Sequence, residues 1–580
     1  MLSHRHRGIF CLAALIAAAP PASAAQQASG LKAFFRAGQT FITWTECGAA
    51  EYRLYRAPAK ITDLKAAKLI ATVAKGSSSY KLEQTRKVLA KIAGKSGYGE
   101  RYIIRDNPGA DPAGMLPADT GLFVYTPHEA GTFHYAVTAV NAGAQNTALT
   151  DANRLAKGVA EKPEPIGAVL VFKAPAKDGK GKVVGERRVY CHWMDAGEWN
   201  PVPDGGYAYN FGVGIPAGEK PRGMIMWMHG YSGYYGLRGP SFGMVSITPG
   251  DPYQTWFYGH KDATGKKVVN YTERRMLLTI DFVVRQLNSE GIKPDTNKVY
   301  AFGASMGGTG GNFLGARYGN VFTAAIASLG AVDHNRNGNW TRVAEQRLWG
   351  ARSEKLLTND GVNVWDHQNL IKWHLANMGK ETAFMLDGHA SNDGSIPFGA
   401  LPDYYEALQK AKRPFMAIWG PWGHSGIHEP KSPNHQWWGT FQFNKDESLP
   451  AVGFATSNDD PRKTRAGQIN CKLEWSAREN DFDKSGTADD VVDEPGRWAC
   501  CLRSRAGKQT ASITPRRCQK FKPRPGARYR WENHSYADPA KPVKVAGGTV
   551  VADKHGLVTV EKFEFDTAGW GSRLTISAEK

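Results

Sequence analysis

Three residues of this chain have types and surroundings suited to nucleophilic chemistry: Ser305, Asp393 and His424. A serine hydroxyl is a poor nucleophile near neutral pH. It needs an imidazole to take its proton, and the imidazole needs a carboxylate to orient it. Ser305 stands in Gly303-Ala304-Ser305-Met306-Gly307-Gly308, directly after the β-branched and aromatic run Lys298-Val299-Tyr300-Ala301-Phe302. Small residues on both sides of a serine let the chain turn sharply from strand to helix and leave the hydroxyl exposed at the turn. Asp393 lies in Asn392-Asp393-Gly394-Ser395-Ile396-Pro397 and His424 in Gly423-His424-Ser425-Gly426, each just past a strand-like apolar run.

The elements that must position these residues are legible around them. Asn270 and Glu273 have capping-box spacing, and Met276, Ile280, Val283 and Leu287 follow at helical intervals until Gly291, which predicts a helix leading into the Ser305 strand. Residues 309–318 can continue as a helix, and 322–327 read as the next buried strand. Further strands are predicted at 168–172, 207–215, 224–230, 383–387 and 414–419. Helices and strands in alternation predict a mostly parallel α/β sheet. In such open sheets sites form beyond the carboxyl ends of the strands, where all three residues fall.

With His229-Gly230 ahead of them, these motifs resemble the α/β-hydrolase superfamily, in its exported esterase and prolyl-oligopeptidase-like branch. The resemblance spans residues 168–430. It implies Ser305 as nucleophile, Asp393 as acid and His424 as general base, in the chain order Ser, acid, His. It also implies an oxyanion hole made by the backbone N–H groups of Met306 and Tyr231, with His229 a structural residue of its turn. Asp387 is a rival acid and His428 a rival base; Gly423 before His424 matches the family better. Asp333 and His334 follow another strand end and line the site or cap a loop. Of the many aromatic residues in this region, Trp422 and Trp256 are the candidates for contact with substrate, the rest serving as core.

The flanks read differently. Residues 31–150 show short alternating strands at 40–44, 52–56, 69–73 and 132–140, the pattern of a β-sandwich. They resemble a fibronectin type III module with Trp44 in its core, interrupted by a lysine-rich insert at 82–95. Residues 155–166 read as a linker, 165–435 as the catalytic domain, and 445–580 as a second β-sandwich with strands at 451–456, 471–476, 549–552, 557–565 and 574–577. At the amino terminus Arg5 and Arg7, an apolar run over 9–19 and Ala22-Ser23-Ala24 read as a signal peptide over 1–24, and no apolar stretch is long enough to span a bilayer. The expectation is a secreted or periplasmic protein. Six cysteines remain after Cys11, an even number that invites disulfides in an oxidising compartment.

The formal charge of +19 favours anionic polymers or surfaces, or serves solubility alone. Ten basic residues over 503–530 with no acidic one form a candidate anion-binding run, which the acidic stretch 479–494 can neutralise. No nucleic-acid motif accompanies it. Gly212-x-Gly214-x-x-Ala217 imitates a dinucleotide fingerprint, but Pro216 is badly placed for the required helix. The loops starting at Asp333 and Asp481 imitate half of a calcium loop and lack its terminal glutamate; turn formation explains both, and calcium stays open at the second. The expected chemistry is ester hydrolysis without cofactor or metal, on a substrate that the flanking modules suggest is polymeric. A peptidase and an inactive binding protein are the alternatives.

Overall fold

The computed structural model describes residues 26–78, 116–194, 207–218, 220–231, 235–251, 253–262, 264–424, 444–475, 491–538, 540–569 and 571–579. The expected signal peptide at 1–24, the 82–95 insert, His428 and the Asp481 loop through Asp489 lie outside the described residues. Two compact units are present, one built from 26–78 and 117–163, the other from 164 onward.

In the first unit a three-stranded antiparallel sheet (Ser29–Arg36, Gln39–Thr45, Thr120–Tyr125) and a five-stranded one built on Glu51–Ala57 and Gly131–Asn141 enclose a common core. Trp44 is buried against Tyr52, with ring centroids 5.5 Å apart, and Gly121 on the paired strand leaves room for its indole. The predicted linker is only partly one. Val159–Glu161 forms a strand beside Gly131–Asn141, and the buried Glu161 carboxylate accepts from Thr40 Oγ1 (2.6 Å), the Tyr135 hydroxyl and Arg56 Nη2 (2.9 Å). A carboxylate held this way fixes its segment as part of the fold.

The second unit is organised on a ten-stranded sheet: β1 Val169–Lys177, β2 Val183–Met194, β3 Tyr207–Pro216, β4 Met224–Met228, β5 Val245–Pro249, β6 Val299–Ala304, β7 Ala324–Ser328, β8 Phe384–Ala390, β9 Phe415–Gly420 and β10 Gly467–Ile469, in the spatial order β10-β9-β8-β7-β6-β4-β5-β3-β2-β1. The six strands from β9 to β5 run parallel. Strands β1 to β3 and β10 are antiparallel additions at the two sides, so the sheet is mixed. Helices α1 (Tyr271–Ser289), α2 (Met306–Arg317) and α3 (Leu401–Lys410) connect the parallel strands. Asn270 makes no side-chain cap on α1, contrary to the capping-box reading. Glu273 is turned inward instead, paired with Arg317 and accepting from the Tyr318 hydroxyl at 3.0 Å.

Because side chains alternate along a strand, the parallel sheet sorts its residues into two cores. Met224, Met226, Val299, Ala301, Ala325, Met385 and Phe415 pack against α1, α2 and α3. Ile225, Tyr300, Ala324, Ile326, Phe384 and Leu386 face the other way and share one cluster with Leu449, Trp498, Ile513, Phe563 and Ile576. The carboxy-terminal sheets therefore cover one face of the ten-stranded sheet. Arg516 and Arg517 fasten them: Arg516, fully buried, reaches Glu381 and the carbonyls of Met378 and Lys380, and Arg517 Nη1 donates to Thr323 O at 2.9 Å.

One composition-based expectation changes here. None of the six cysteines forms a disulfide. Cys471 Sγ lies 3.3 Å from Ala417 O, Cys518 Sγ lies 3.3 Å from Ser448 Oγ, and Cys500 and Cys501 are adjacent on one strand, hence on opposite faces. Within the basic run Arg503 and Arg505 pair with Glu474, Arg516 with Glu381, Arg528 with Glu579 and Arg530 with Glu532, while residues 479–490 of the acidic stretch lie outside the described residues.

Candidate active site

The carboxyl ends of β4, β6, β8 and β9 lie along one edge of the sheet, and the loops that leave them carry the predicted residues. Ser305 stands between β6 and α2 at φ 60°, ψ −126°, a conformation a non-glycine residue avoids unless its surroundings hold it there. They do. A side chain at Gly303 would run into the Gly307 backbone, and one at Gly307 into the carbonyls of Met228 and His229. The Ser305 N–H donates to Ser328 O (2.8 Å), tying the turn to the end of β7.

The Ser305 hydroxyl meets His424 Nε2 at 2.8 Å, and His424 Nδ1 meets Asp393 Oδ2 at 2.7 Å. The other Asp393 oxygen accepts from the N–H groups of Ser395 (2.8 Å) and Ile396 (2.9 Å). Burial raises the Asp393 carboxyl, yet the hydrogen bond from His424 and the two backbone donors outweigh it and hold the group below the ordinary carboxylate range. An ionised carboxylate only accepts, so Nδ1 carries the imidazole proton and Nε2 is free to take one from the Ser305 hydroxyl, which donates. This arrangement can deprotonate a serine as it attacks a carbonyl.

The two loops that supply acid and base are joined to each other. Ser391 N–H donates to Gly420 O (2.7 Å), Asn392 N–H to Trp422 O (3.2 Å) and Asn392 Nδ2 to Pro421 O (2.9 Å). The rival Asp387 lies mid-strand in β8, fully buried, accepting from Asn312 Nδ2 (3.0 Å) and the Tyr405 hydroxyl (2.6 Å); burial pushes its carboxyl up, and it does not reach His424.

Opposite the relay runs the loop after β4. A Cβ at Gly230 would lie 3.8 Å from that of Ser305, which puts Tyr231 next to the nucleophile. Met306 opens α2, so its N–H is one of the first-turn donors that no helical carbonyl can satisfy. His229 is a clamp. Its Nδ1–H donates to Gly230 O (2.8 Å) while Nε2 accepts the Asp251 N–H (2.8 Å), and burial keeps its proton affinity low.

The aromatic candidates part company. Trp422 is half-buried and lies over Gly420, where it packs beside the histidine loop. Trp256 is 2 % exposed, wedged edge-on between His334 and Trp340 (centroids 5.1 and 5.5 Å), and offers no face to a substrate. Trp340 lies tilted against Tyr231, with centroids 4.4 Å apart, and its Nε1 donates to Ser395 Oγ at 3.4 Å. A chain of contacts thus runs from Ser305 through His424, Asp393, Ser395 and Trp340 to Tyr231, the residue after Gly230. Only an apolar residue in a short helix, Asn339–Ala344, announced Trp340 in the sequence. Asp333 caps its own loop through Asn335 N–H (3.0 Å) and Arg336 Nε (2.9 Å), and His334 is buried among aromatic rings.

Residues 280–445 match the prolyl oligopeptidase family. The middle of the chain is a serine hydrolase core of the α/β-hydrolase type. No curated protein sequence matches the chain. Among solved structures, the S-formylglutathione hydrolase of Agrobacterium tumefaciens is 14% identical, with a TM-score of 0.33, over 44% of this chain and 92% of its own. The acylaminoacyl peptidase of Pyrococcus horikoshii is 12% identical, with a TM-score of 0.32, over 69% and 52%. Esterase 2 of Thermogutta terrifontis is 16% identical, with a TM-score of 0.28, over 42% and 89%.

Proposed function

We propose that this protein is an exported serine hydrolase that cleaves carboxylic esters through an acyl-enzyme. The observation that carries the reading is the unbroken relay from Ser305 through His424 to Asp393. Ser305 Oγ attacks the acyl carbonyl as His424 Nε2 takes its proton, and Asp393 holds the imidazole and stabilises the imidazolium. The carbonyl oxygen becomes an oxyanion facing the N–H groups of Met306 and Tyr231, where loss of one donor costs roughly 3 kcal/mol of barrier. The tetrahedral intermediate collapses, the alcohol leaves with the proton from His424, and water repeats the sequence to free the acid and regenerate Ser305. No residue in this scheme calls for a cofactor.

The basic and apolar residues over 1–24 support export, and the antiparallel first unit supports a polymeric substrate, an esterified polysaccharide or a polyester. A second reading, a serine peptidase, is favoured by the family match over 280–445. Against it, the eight strands of the first unit's two sheets are, among the described residues, too few for the propeller that gates peptides in that family. Purified protein and its Ser305→Ala variant, assayed on short acyl esters, acetylated and feruloylated polysaccharides, polyesters and peptide amides, decide between them. Ester cleavage lost in the variant supports the reading; cleavage of amides alone transfers it to the peptidase.

A further inference from the structure

Most arginines around the site are matched by acids. Arg336 pairs with Asp333 and Asp403, Arg462 with Asp403 and Glu406, Arg317 with Glu273, and Arg352 with Glu345. Two others meet neutral partners among the described residues: Arg465, whose Nη2 donates to Asn392 Oδ1 at 2.9 Å, and Arg347. Arg347 is the one that reaches the loop after β4. It is exposed, and its one hydrogen-bond partner among the described residues is neutral: Nη1 donates to the Tyr231 hydroxyl at 3.1 Å. The acid nearest in sequence, Glu345, is held by Arg352 Nε at 3.0 Å. Arg347 thus holds the end of the contact chain that runs from Ser305 to Tyr231, on the loop whose Gly230 would place a Cβ 3.8 Å from that of Ser305.

We propose that Arg347 is a specificity residue that recognises a carboxylate on the substrate, close to the scissile bond. The inference rests on the hydrolase reading above and deepens it. A guanidinium is permanently charged, presents several donors in a plane and matches a carboxylate with two parallel hydrogen bonds. Arg347 is exposed, and with one Nη donating to Tyr231 its remaining donors are open to a ligand. The tilted Tyr231–Trp340 pair offers a substrate an apolar surface, and Arg347 ends it in a positive charge. The carboxylate belongs either to the acyl half, as in a half-ester of a dicarboxylic acid, or to the alcohol half, as in an acidic sugar.

The test compares matched esters that differ in a carboxylate: 4-nitrophenyl hydrogen glutarate against 4-nitrophenyl pentanoate for the acyl half, and the acetyl esters of 3-hydroxybenzoate and 3-hydroxybenzamide for the alcohol half. The expected result is about a tenfold preference in kcat/KM for the charged member of one pair, diminishing with salt, falling to about one in Arg347→Gln and partly kept in Arg347→Lys. A merely structural Arg347 would change both members of a pair alike and leave the ratio standing. No preference in the native protein, or a preference that survives Arg347→Gln, overturns the proposal. Calorimetry of glutarate binding to Ser305→Ala protein, with and without Arg347→Gln, separates the two readings. If no ester is turned over, the hydrolase reading fails, while glutarate binding that depends on Arg347 upholds the anion site and its absence overturns it.

Discussion

Asp393 shows how little of a carboxylate's behaviour lies in its own chemistry. Its side chain is shielded from solvent, which alone would favour the neutral acid, yet two backbone donors and the His424 imidazole keep it ionised. Asp393→Asn keeps the shape and loses the acceptor that fixes the proton on Nδ1. We expect kcat to fall by about 10⁴-fold with KM nearly unchanged, measured on the preferred ester. A loss below tenfold would mean that another acid orients His424. Ser305, Asp393 and His424 were legible because each sits in a turn whose small neighbours are needed locally. Trp340 and Arg347 were hidden because what distinguishes them is a contact with Tyr231, more than a hundred positions earlier in the chain.

At the scale of elements, the turn from β6 to α2 is the part least tolerant of change. Gly307→Ala would push a methyl into the carbonyls that end β4, so the strand, the oxyanion loop or the helix must shift. The expected outcome is a loss of about 2–4 kcal/mol in stability by thermal unfolding, together with slowed labelling of Ser305 by a fluorophosphonate. Normal labelling and stability would show that the close approach is dispensable. Strands β4, β6 and β9 were legible because both faces are covered and their sequences are apolar throughout, and β8 because its first three residues are, before the buried Asp387 and His389. Strand β2 was not: Glu186, Arg187 and Arg188 interrupt it, and they are accommodated only through tertiary partners such as Glu290, 2.7 Å from Arg188. Strand β5 is five residues long and follows a glycine-rich loop, which left no period to read.

For the molecule as a whole, the carboxy-terminal strands are structural rather than accessory. Deleting residues 445–580 would expose Ile225, Tyr300, Ile326, Phe384 and Leu386 at once, and the truncated protein is expected to be aggregated in size-exclusion chromatography. A soluble, monodisperse, active core would contradict this. Acid should also weaken the fold. Burial pushes His192 and His334 down to about 3, and His374 well below its usual value of 6.5. Below pH 6.5 the unfolded chain takes up these protons and the folded one does not, so stability is fully present above that pH and is lost as pH falls toward the folded values. Each imidazole contributes up to about 1.4 kcal/mol per pH unit. The urea midpoint should therefore drop between pH 7.5 and pH 5, and a flat profile would mean that these imidazoles are protonated in the native state.

The central claim is that Ser305 becomes acylated during turnover. Rapid-quench intact-mass measurement of protein mixed with 4-nitrophenyl acetate, followed by peptide mapping, tests it most directly. The account predicts one added acetyl group per chain, on the Ser305 peptide, formed in a burst and absent in Ser305→Ala. Turnover with no acylated serine, or full activity in Ser305→Ala, would contradict it.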